Sequence, residues 1–218
     1  MSTILAVLEI IGVFSFSIAG ALLAIDNEID FIGVVFLAVI TSFGGGIIRD
    51  VLIGNTPPVF FSLYVLVIIS VLTATVVFII ATIFKKQYVR NEHIVESVNN
   101  YFDAAGLGVF VISGAQICMD AGFENPFLIV VMGMISGTGG SMIRDIFLNV
   151  VPSLLKKHVY LVAAMAGAGL YYLMTALKVN EFISVPVSVL VIIIIRVLAT
   201  VFKWNFPKAI DFSKMNQL

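Results

Sequence analysis

Two glycine-rich strings, each followed by an arginine and an aspartate, are the residues of this chain best suited to chemistry. They run Phe43-Gly44-Gly45-Gly46-Ile47-Ile48-Arg49-Asp50 and, 95 positions later, Thr138-Gly139-Gly140-Ser141-Met142-Ile143-Arg144-Asp145. Consecutive glycines weaken a helix and let another backbone or a ligand come close. Charged residues inside an apolar run are costly in a membrane and usually serve a function.

A helix broken at these glycines would expose carbonyl oxygens on one half and N–H groups on the other, which suit a cation and an anion respectively. We therefore assign a pore or kink role to the glycines and neighbouring hydroxyls Gly44, Gly45, Gly46, Gly137, Gly139, Gly140, Ser42, Ser136, Thr138 and Ser141. Close packing of helices is the alternative, because Gly133 and Gly137 form a GxxxG pattern. The duplicated motif favours the first interpretation, and the alternative stays open.

The composition predicts an all-α membrane protein. The chain has 218 residues, of which 61% are hydrophobic and 11% charged, whereas a soluble domain is about half apolar and about a quarter charged. Its apolar runs are continuous and about 20 residues long, as in membrane helices rather than β-barrel strands. The net charge of −1 argues against nucleic-acid binding, and the single Cys118 excludes an intrachain disulfide. We expect no enzyme activity, no cofactor, and no metal beyond transient monovalent cations.

Seven transmembrane helices are predicted within one transmembrane domain that spans 1–218. They cover 4–25, 31–54, 59–84, 100–119, 126–150, 158–177 and 182–203. A polar linker is predicted at 85–99 and a cytoplasmic tail at 204–218. The second and fifth helices contain the glycine motifs, and we predict that both are kinked there.

The distribution of lysine and arginine predicts the orientation. One side carries eight basic residues, Lys85, Lys86, Arg90, Lys156, Lys157, Lys203, Lys208 and Lys214. The opposite side carries only Lys178. Because basic loops stay cytoplasmic, the N-terminus is predicted outside and the C-terminus in the cytoplasm. Arg196, in the last span, is expected to snorkel inward, and Tyr160 and Trp204 suit anchoring at the membrane interface.

The chain also contains an internal repeat. Six residues recur at an offset of 94, pairing Glu9, Gly12, Phe16, Gly20, Ala21 and Asp26 with Asp103, Gly106, Phe110, Gly114, Ala115 and Asp120. Repeat 1 is predicted over 4–84 and repeat 2 over 100–177, and the helix at 182–203 lies outside both. Each repeat holds three spans, so the second copy must cross the membrane in the inverted direction, as in many transport proteins.

The inverted repeat suggests partners for the buried arginines. Asp50 and Asp145 follow their arginines directly, and adjacent residues on a helix point apart. Glu9 lies at the same membrane side as Arg49, and Asp103 lies at the same side as Arg144. We therefore predict Glu9–Arg49 and Asp103–Arg144 pairs, which would act as charged gates or static braces.

The two motifs, with Pro57 and Pro152 behind them, resemble those of the prokaryotic trimeric intracellular cation (TRIC-type) channels. This family overlaps a group of small bacterial membrane proteins that are uncharacterised or described as glycine transporters. The resemblance covers nearly the whole chain and implies a homotrimer with one pore per protomer, bordered by the kinked second and fifth helices. It assigns the pore kinks to Gly44, Gly45, Gly46, Gly139 and Gly140, while Ser141 departs from the pattern.

The expected function is therefore a monovalent cation channel that is permeable to potassium or sodium, in a bacterial plasma membrane. An alternating-access carrier for a small amino acid such as glycine is the alternative. The expected partners are membrane lipids, the other subunits of the trimer and the transported ion, or glycine in the alternative. The basic residues that would bind an inositol lipid in the animal channels are not evident, so no such regulation is expected.

Overall fold

The computed structural model describes residues 3–156 and 159–204, which form α-helices and one short 3₁₀ helix. The α-helices of this part are α1 (Thr3–Asp26), α2 (Phe31–Leu52), α3 (Tyr64–Ile83), α4 (Lys85–Arg90), α5 (Glu92–Asp120), α6 (Pro126–Phe147), α7 (Ser153–Lys156), α8 (Val159–Ala176) and α9 (Glu181–Val201). The 3₁₀ helix is Val59–Ser62. Among the described residues, seven helices are long and apolar enough to cross a membrane: α1, α2, α3, α5, α6, α8 and α9. The predicted all-α, seven-span architecture is confirmed.

The hairpins that join α1 to α2, α5 to α6 and α8 to α9 are built alike. In each, one residue with positive φ ends the first helix, namely Glu28, Gly122 and Lys178. In each, a side-chain oxygen then caps the second helix by accepting backbone N–H bonds, from Asp30, Asn125 and Asn180. This left-handed stop followed by an Asx cap explains why the chain reverses within a few residues.

The structure has the arrangement of a three-plus-three inverted repeat with one added helix. In the first half α1 packs on α2 and α3, and in the second half α5 packs on α6 and α8. The halves meet where α1 packs on α5 and α2 packs on α6, while α9 lies against α5 and α8. Phe16 and Phe110, which are equivalent in the repeat, stack at this interface with ring centroids 5.3 Å apart. This aromatic pair is part of the buried core between the two halves.

The segment 85–99, which was predicted as a polar linker, is helical. Helix α4 covers its first part and α5 begins at Glu92, because the segment contains no glycine or proline that would end a helix. The Tyr88 hydroxyl donates to Asp26 Oδ1 at 2.8 Å and ties α4 to the end of α1. Burial is the main reason that the pKa of the Tyr88 phenol is raised, and the bond to Asp26 raises it further. The phenol therefore remains a hydrogen-bond donor at neutral pH.

Two other boundaries differ from the predictions. Helix α3 begins at Tyr64 rather than at 59, because the residues directly after Pro57 and Pro58 form the 3₁₀ helix instead. Helix α6 ends at Phe147 rather than at 150, and Asn149 adopts a positive φ of 53° there. The predicted tail beyond Trp204 lies outside the described residues, as do the basic residues Lys157, Lys208 and Lys214.

Candidate functional site

The two glycine motifs meet where α2 crosses α6. A Cβ atom at Gly45 would overlap the carbonyl oxygen of Ser136, and a Cβ atom at Gly140 would overlap the carbonyl oxygen of Thr41. Thr41 and Ser136 are themselves equivalent in the repeat, so the two contacts exchange under the pseudo-twofold axis. Both obstacles are backbone atoms, which no change of side-chain rotamer can move. Only glycine at these positions allows the helices to approach this closely.

The remaining glycines of the motifs differ in how tightly they are packed. A Cβ at Gly139 would lie 2.9 Å from the Cα of Gly45, and a Cβ at Gly137 would lie 3.1 Å from the carbonyl oxygen of Leu107 in α5. A Cβ at Gly46 would meet nothing closer than a guanidinium nitrogen of Arg49, at 3.6 Å. Gly46 is therefore the one glycine of the first triplet with room for a side chain.

The prediction that the glycines interrupt their helices is wrong. Helix α2 is continuous through 44–46 and α6 is continuous through 137–140, so neither helix ends at its motif. The opposite helix packs directly on each glycine, and this contact compensates for the low helix propensity of the glycines. Close packing, the alternative interpretation, accounts for the local structure. A bend of the helix axes at the motifs stays a prediction.

At the end of α2, Arg49 pairs with the aspartate that follows it. Asp50 Oδ1 accepts from Arg49 Nε at 3.0 Å and from Nη2 at 2.8 Å, and Arg49 Nη1 donates to Ser136 Oγ at 3.0 Å. The predicted Glu9–Arg49 ion pair is not formed, because the guanidinium is directed to Asp50 and Ser136 instead. The expectation that adjacent residues make poor partners is wrong here, since the long arginine side chain folds back to the carboxylate.

The end of α6 repeats this arrangement. Asp145 Oδ1 accepts from Arg144 Nε at 2.9 Å and from Nη2 at 2.8 Å. The second carboxylate oxygen in each copy accepts a backbone N–H from beyond the helix, from Val59 at 2.9 Å for Asp50 and from Ser153 at 2.6 Å for Asp145. Each aspartate therefore holds its own arginine and the segment that follows the helix, which is the geometry of a brace.

Asp103 lies between two arginines. Arg144 Nη1 is 3.9 Å from Asp103 Oδ1, so the structure contains the predicted Asp103–Arg144 ion pair, and Arg196 Nη2 donates to Asp103 Oδ2 at 3.3 Å. The Arg196 guanidinium also lies over the Tyr160 ring, 4.2 Å from its centroid. Arg196 is 2% exposed and Tyr160 is 0% exposed. The expected snorkelling of Arg196 and interfacial position of Tyr160 are therefore wrong, because both side chains find partners inside the protein.

Glu9 has no comparable cation. Its Oε1 accepts from Ser113 Oγ at 2.6 Å, and no basic nitrogen of the described chain lies within 4.0 Å of its carboxylate. Glu9 lines a cavity of about 60 Å³ on the side of the membrane where α1 begins and α2 ends, together with Ser42 and Asp50. The sequence motifs gave no indication of the Ser113 contact.

The hydroxyls that were predicted to line a pore are engaged within the helix bundle. Ser42 donates to Ala38 O at 3.0 Å, Thr138 to Met134 O at 2.8 Å and Ser141 to Thr138 O at 2.9 Å. Ser17 and Ser70, which the motifs did not indicate, join Ser42 in a buried hydroxyl cluster, with Ser17 Oγ 3.0 Å from Ser42 Oγ and 2.8 Å from Ser70 Oγ. The sequence signal for this cluster is one serine in each of the three neighbouring apolar helices α1, α2 and α3.

The profile of one protein family matches the chain twice. The family is described as "Glycine transporter", and the matches cover residues 6–82 and 100–176. The chain belongs to this family. One match falls in each half of the inverted repeat, so each half by itself fits the profile of the family.

Several bacterial membrane proteins are similar to this chain over most of their length. A UPF0126 membrane protein of Deinococcus radiodurans is 38% identical over 77% of this chain and 74% of its own. The UPF0126 membrane protein YvgT of Bacillus subtilis is 32% identical over 92% of this chain and 94% of its own. The UPF0126 inner membrane protein YadS of Escherichia coli K12 is 30% identical over 73% of each chain. These relatives agree with a multi-pass membrane protein.

Solved structures of TRIC channels have the same fold. A prokaryotic TRIC channel crystallised in 0.5 M KCl is 32% identical, with a TM-score of 0.85 over 94% of this chain and 100% of its own. A structure described as the basis for conductance through TRIC cation channels is 33% identical, with a TM-score of 0.81 over 94% of this chain and 97% of its own. The orthologue from Rhodobacter sphaeroides is 27% identical, with a TM-score of 0.83 over 93% of this chain and 100% of its own. The resemblance to TRIC-type channels is confirmed.

Proposed function

We propose that the protein is a monovalent cation channel, permeable to potassium, that works as a homotrimer with one pore in each protomer. The observation that carries this proposal is the likeness, over 93–94% of the chain and at 27–33% identity, to structures described as TRIC cation channels. TRIC stands for trimeric intracellular cation channel in one of those descriptions, which supports the trimer.

The pore is placed beside the crossing of α2 and α6, within each protomer. The tight glycine contacts between Gly45 and Ser136 and between Gly140 and Thr41 close the crossing itself, so ions pass along its flank rather than through it. In this proposal the two arginine–aspartate pairs are braces rather than mobile gates. They are buried, and their hydrogen bonds fix the ends of the two helices that border the pore.

The protein is placed in the bacterial inner membrane with its N-terminus outside and its C-terminus in the cytoplasm. Lys85, Lys86 and Arg90 are exposed at the end of the bundle where α3 meets α4, whereas Lys178 is the basic residue of the α8–α9 turn at the opposite end. This asymmetry supports the orientation by the positive-inside rule.

A glycine carrier is the second candidate, and the observation that favours it is the description of the family profile. Recordings from planar bilayers that contain the purified protein separate the two. A channel gives unitary currents in asymmetric KCl that reverse near the potassium equilibrium potential. Electrically silent bilayers, together with saturable glycine uptake by proteoliposomes made from the same preparation, would overturn the channel and favour the carrier.

The trimer has its own test. Native mass spectrometry of the protein released from detergent gives the number of chains in the assembly directly. A mass of three chains supports the proposed assembly, and a monomer or dimer under conditions where the currents persist would refute it.

A further inference from the structure

The arginines of the two glycine motifs differ in the hydrogen bond that each makes across the helix crossing. Arg49 Nη1, in α2, donates to Ser136 Oγ in α6 at 3.0 Å. The repeat relates this bond to one from Arg144 in α6 to Thr41 in α2, since each residue of the first pair has its counterpart 95 positions away. The second bond is not formed, because Arg144 Nη1 has no hydrogen-bond partner in the described part of the chain. Of two equivalent bonds, one is therefore made and the other is not.

The hydroxyl of Thr41 is placed like that of Ser136. Thr41 is 0% exposed, and its hydroxyl donates to Leu37 O at 2.6 Å, which leaves the lone pairs of Oγ1 to accept a bond. A Cβ atom at Gly20 of α1 would lie 2.7 Å from Thr41 Oγ1. A Cβ atom at Gly114 of α5, the repeat equivalent of Gly20, would lie 2.8 Å from Ser136 Oγ. Both hydroxyls thus lie under equivalent glycines, and either can serve as an acceptor for the arginine of the opposite helix.

The nitrogen without a hydrogen bond belongs to a buried cation. Arg144 is 2% exposed, and its Nη1 lies 3.9 Å from Asp103 Oδ1. This distance allows an ion pair but is too long for a hydrogen bond. A buried donor that lacks a hydrogen bond is unfavourable, because it has lost its bonds to water without replacing them. An arrangement of α2 and α6 that gives this nitrogen an acceptor would therefore compete with the one in the structure.

The crossing itself limits how α2 and α6 can rearrange. The tight contacts at Gly45 and Gly140 leave no room for the two helices to approach further, so a tilt about the crossing is the motion that remains. Arg49 lies four residues beyond Gly45, toward the outer side in the proposed orientation, and Arg144 lies four residues beyond Gly140, toward the cytoplasm. A tilt that brings one arginine nearer to the opposite helix moves the other arginine away from it.

We propose that the crossing alternates between two states, each closed by one arginine-to-hydroxyl bond across it, which we call a latch. In the present structure the Arg49–Ser136 latch is closed and the Arg144–Thr41 latch is open, and in the second state this is reversed. Nε and Nη2 of each arginine stay with the adjacent aspartate in both states, so the braces persist. The two states make the same kind of hydrogen bond, so both are populated. The inference goes beyond the proposed function, because such an alternation can serve a channel or a carrier.

Fluorine NMR at two equivalent positions measures the alternation. Val51 in α2 and Ile146 in α6 are exposed, and each lies two residues after the arginine of its motif. Val51→Cys and Ile146→Cys are labelled separately with a trifluoromethyl thiol reagent, while the buried Cys118 stays unlabelled. Spectra and relaxation dispersion of the purified protein should show two exchanging states, with the same population ratio and exchange rate at both positions. A single state, or different ratios at the two positions, would overturn the proposal.

Removing each acceptor in turn should shift the ratio of second to first state in opposite directions. Ser136→Ala removes the acceptor of the closed latch and should raise the ratio by at least about tenfold, the effect of losing a hydrogen bond from a charged donor. Thr41→Val keeps the shape of threonine without its hydroxyl and should lower the ratio by a similar factor. The double variant should return toward the wild-type ratio, because each state then lacks its latch. No shift, or shifts in the same direction, would refute the alternation.

Two further variants separate the latch from packing in general. Thr41→Ser keeps a hydroxyl and should restore the wild-type ratio that Thr41→Val loses. Thr75→Val removes a threonine of α3 whose hydroxyl likewise donates to the carbonyl four residues earlier, and it should leave the ratio unchanged. A shift with Thr75→Val as large as with Thr41→Val would contradict a specific role of the crossing. If Ser136→Ala or Thr41→Val does not fold, the comparison of the two label positions in the otherwise wild-type protein decides.

Bilayer recordings are independent of these measurements. A protein that conducts but shows a single state contradicts only the latches. A protein that alternates between two states without currents contradicts only the channel.

Discussion

Replacing Gly45 or Gly46 with alanine separates packing at the helix crossing from the general effect of glycine in a helix. The two residues are neighbours in α2 and differ in what a Cβ would meet. At Gly45 it would overlap the carbonyl oxygen of Ser136, and at Gly46 its nearest neighbour would be a movable Arg49 nitrogen at 3.6 Å. The pair is therefore matched in sequence context, chemistry and change of volume.

The expected magnitudes follow from these contacts. Alanine gains up to about 1 kcal/mol over glycine within a helix, and overpacking a tight contact costs about 1–3 kcal/mol. Gly46→Ala should therefore keep or raise the stability. Gly45→Ala should lose about 1–2 kcal/mol net, because α2 must move away from the Ser136 backbone. For a chain of this length such a loss lowers the melting temperature by roughly 2–8 °C.

The single cysteine provides the assay. Cys118 is buried in α5 and is the one thiol in the sequence, so a dye that becomes fluorescent on reaction with thiols reports unfolding. Potassium flux into proteoliposomes made from the two variants provides the functional readout, and Gly45→Ala is expected to be the weaker conductor. Equal melting temperatures and equal fluxes for the two variants would refute the argument that the crossing depends on direct contact at Gly45.

Two further predictions concern charge. Arg196→Gln removes the closer of the two cations around Asp103, so thermal unfolding should show a loss of about 3–5 kcal/mol, the usual cost of breaking a buried ion pair from one side. Exposed Arg90→Gln should have no such effect, and a similar loss in both variants would contradict the role of the buried pair. For the orientation, Lys178→Cys should react with a membrane-impermeant maleimide in intact cells, and Lys85→Cys only after lysis, with little background from the buried Cys118. The reverse pattern would show that the protein is inserted the other way.

Most of the fold could be predicted from the hydrophobic runs and the internal repeat of the sequence. The seven spans were predictable because each apolar run is long enough to cross a bilayer and the turn signals between them are strong. The helical structure of the segment 85–99 could not be predicted from its polarity, because a polar segment without a helix breaker can form either a loop or an exposed helix. Tyr88, which ties this segment to Asp26, has a role that only the tertiary structure reveals.

The glycine motifs mark the positions in the sequence where the two helices cross. They did not reveal that both helices continue through the crossing. Low helix propensity is a local property, and the contact that offsets it comes from residues 91 positions away, as between Gly45 and Ser136. The partner of Arg49 was missed for a related reason. The rule that adjacent helical residues diverge applies to short side chains, and the arginine is long enough to bend back to Asp50. Nothing in the repeat pointed to Arg196, which belongs to neither copy.

Helix α9 makes the two ends of the helix bundle electrostatically different. Two inverted copies alone would present the same electrostatic face to each side of the membrane, and a pore through them would have no preferred sense of current. By bringing Arg196 to Asp103, α9 adds a buried cation near the cytoplasmic end, and the described residues contain no equivalent ion pair at Glu9 near the outer end in the proposed orientation. The two halves of the proposed pore then differ in charge, so the current–voltage relation should be asymmetric in symmetric KCl. Helix α9, which lies outside the repeat, would in this way make the two directions of current through a pseudo-symmetric channel unequal.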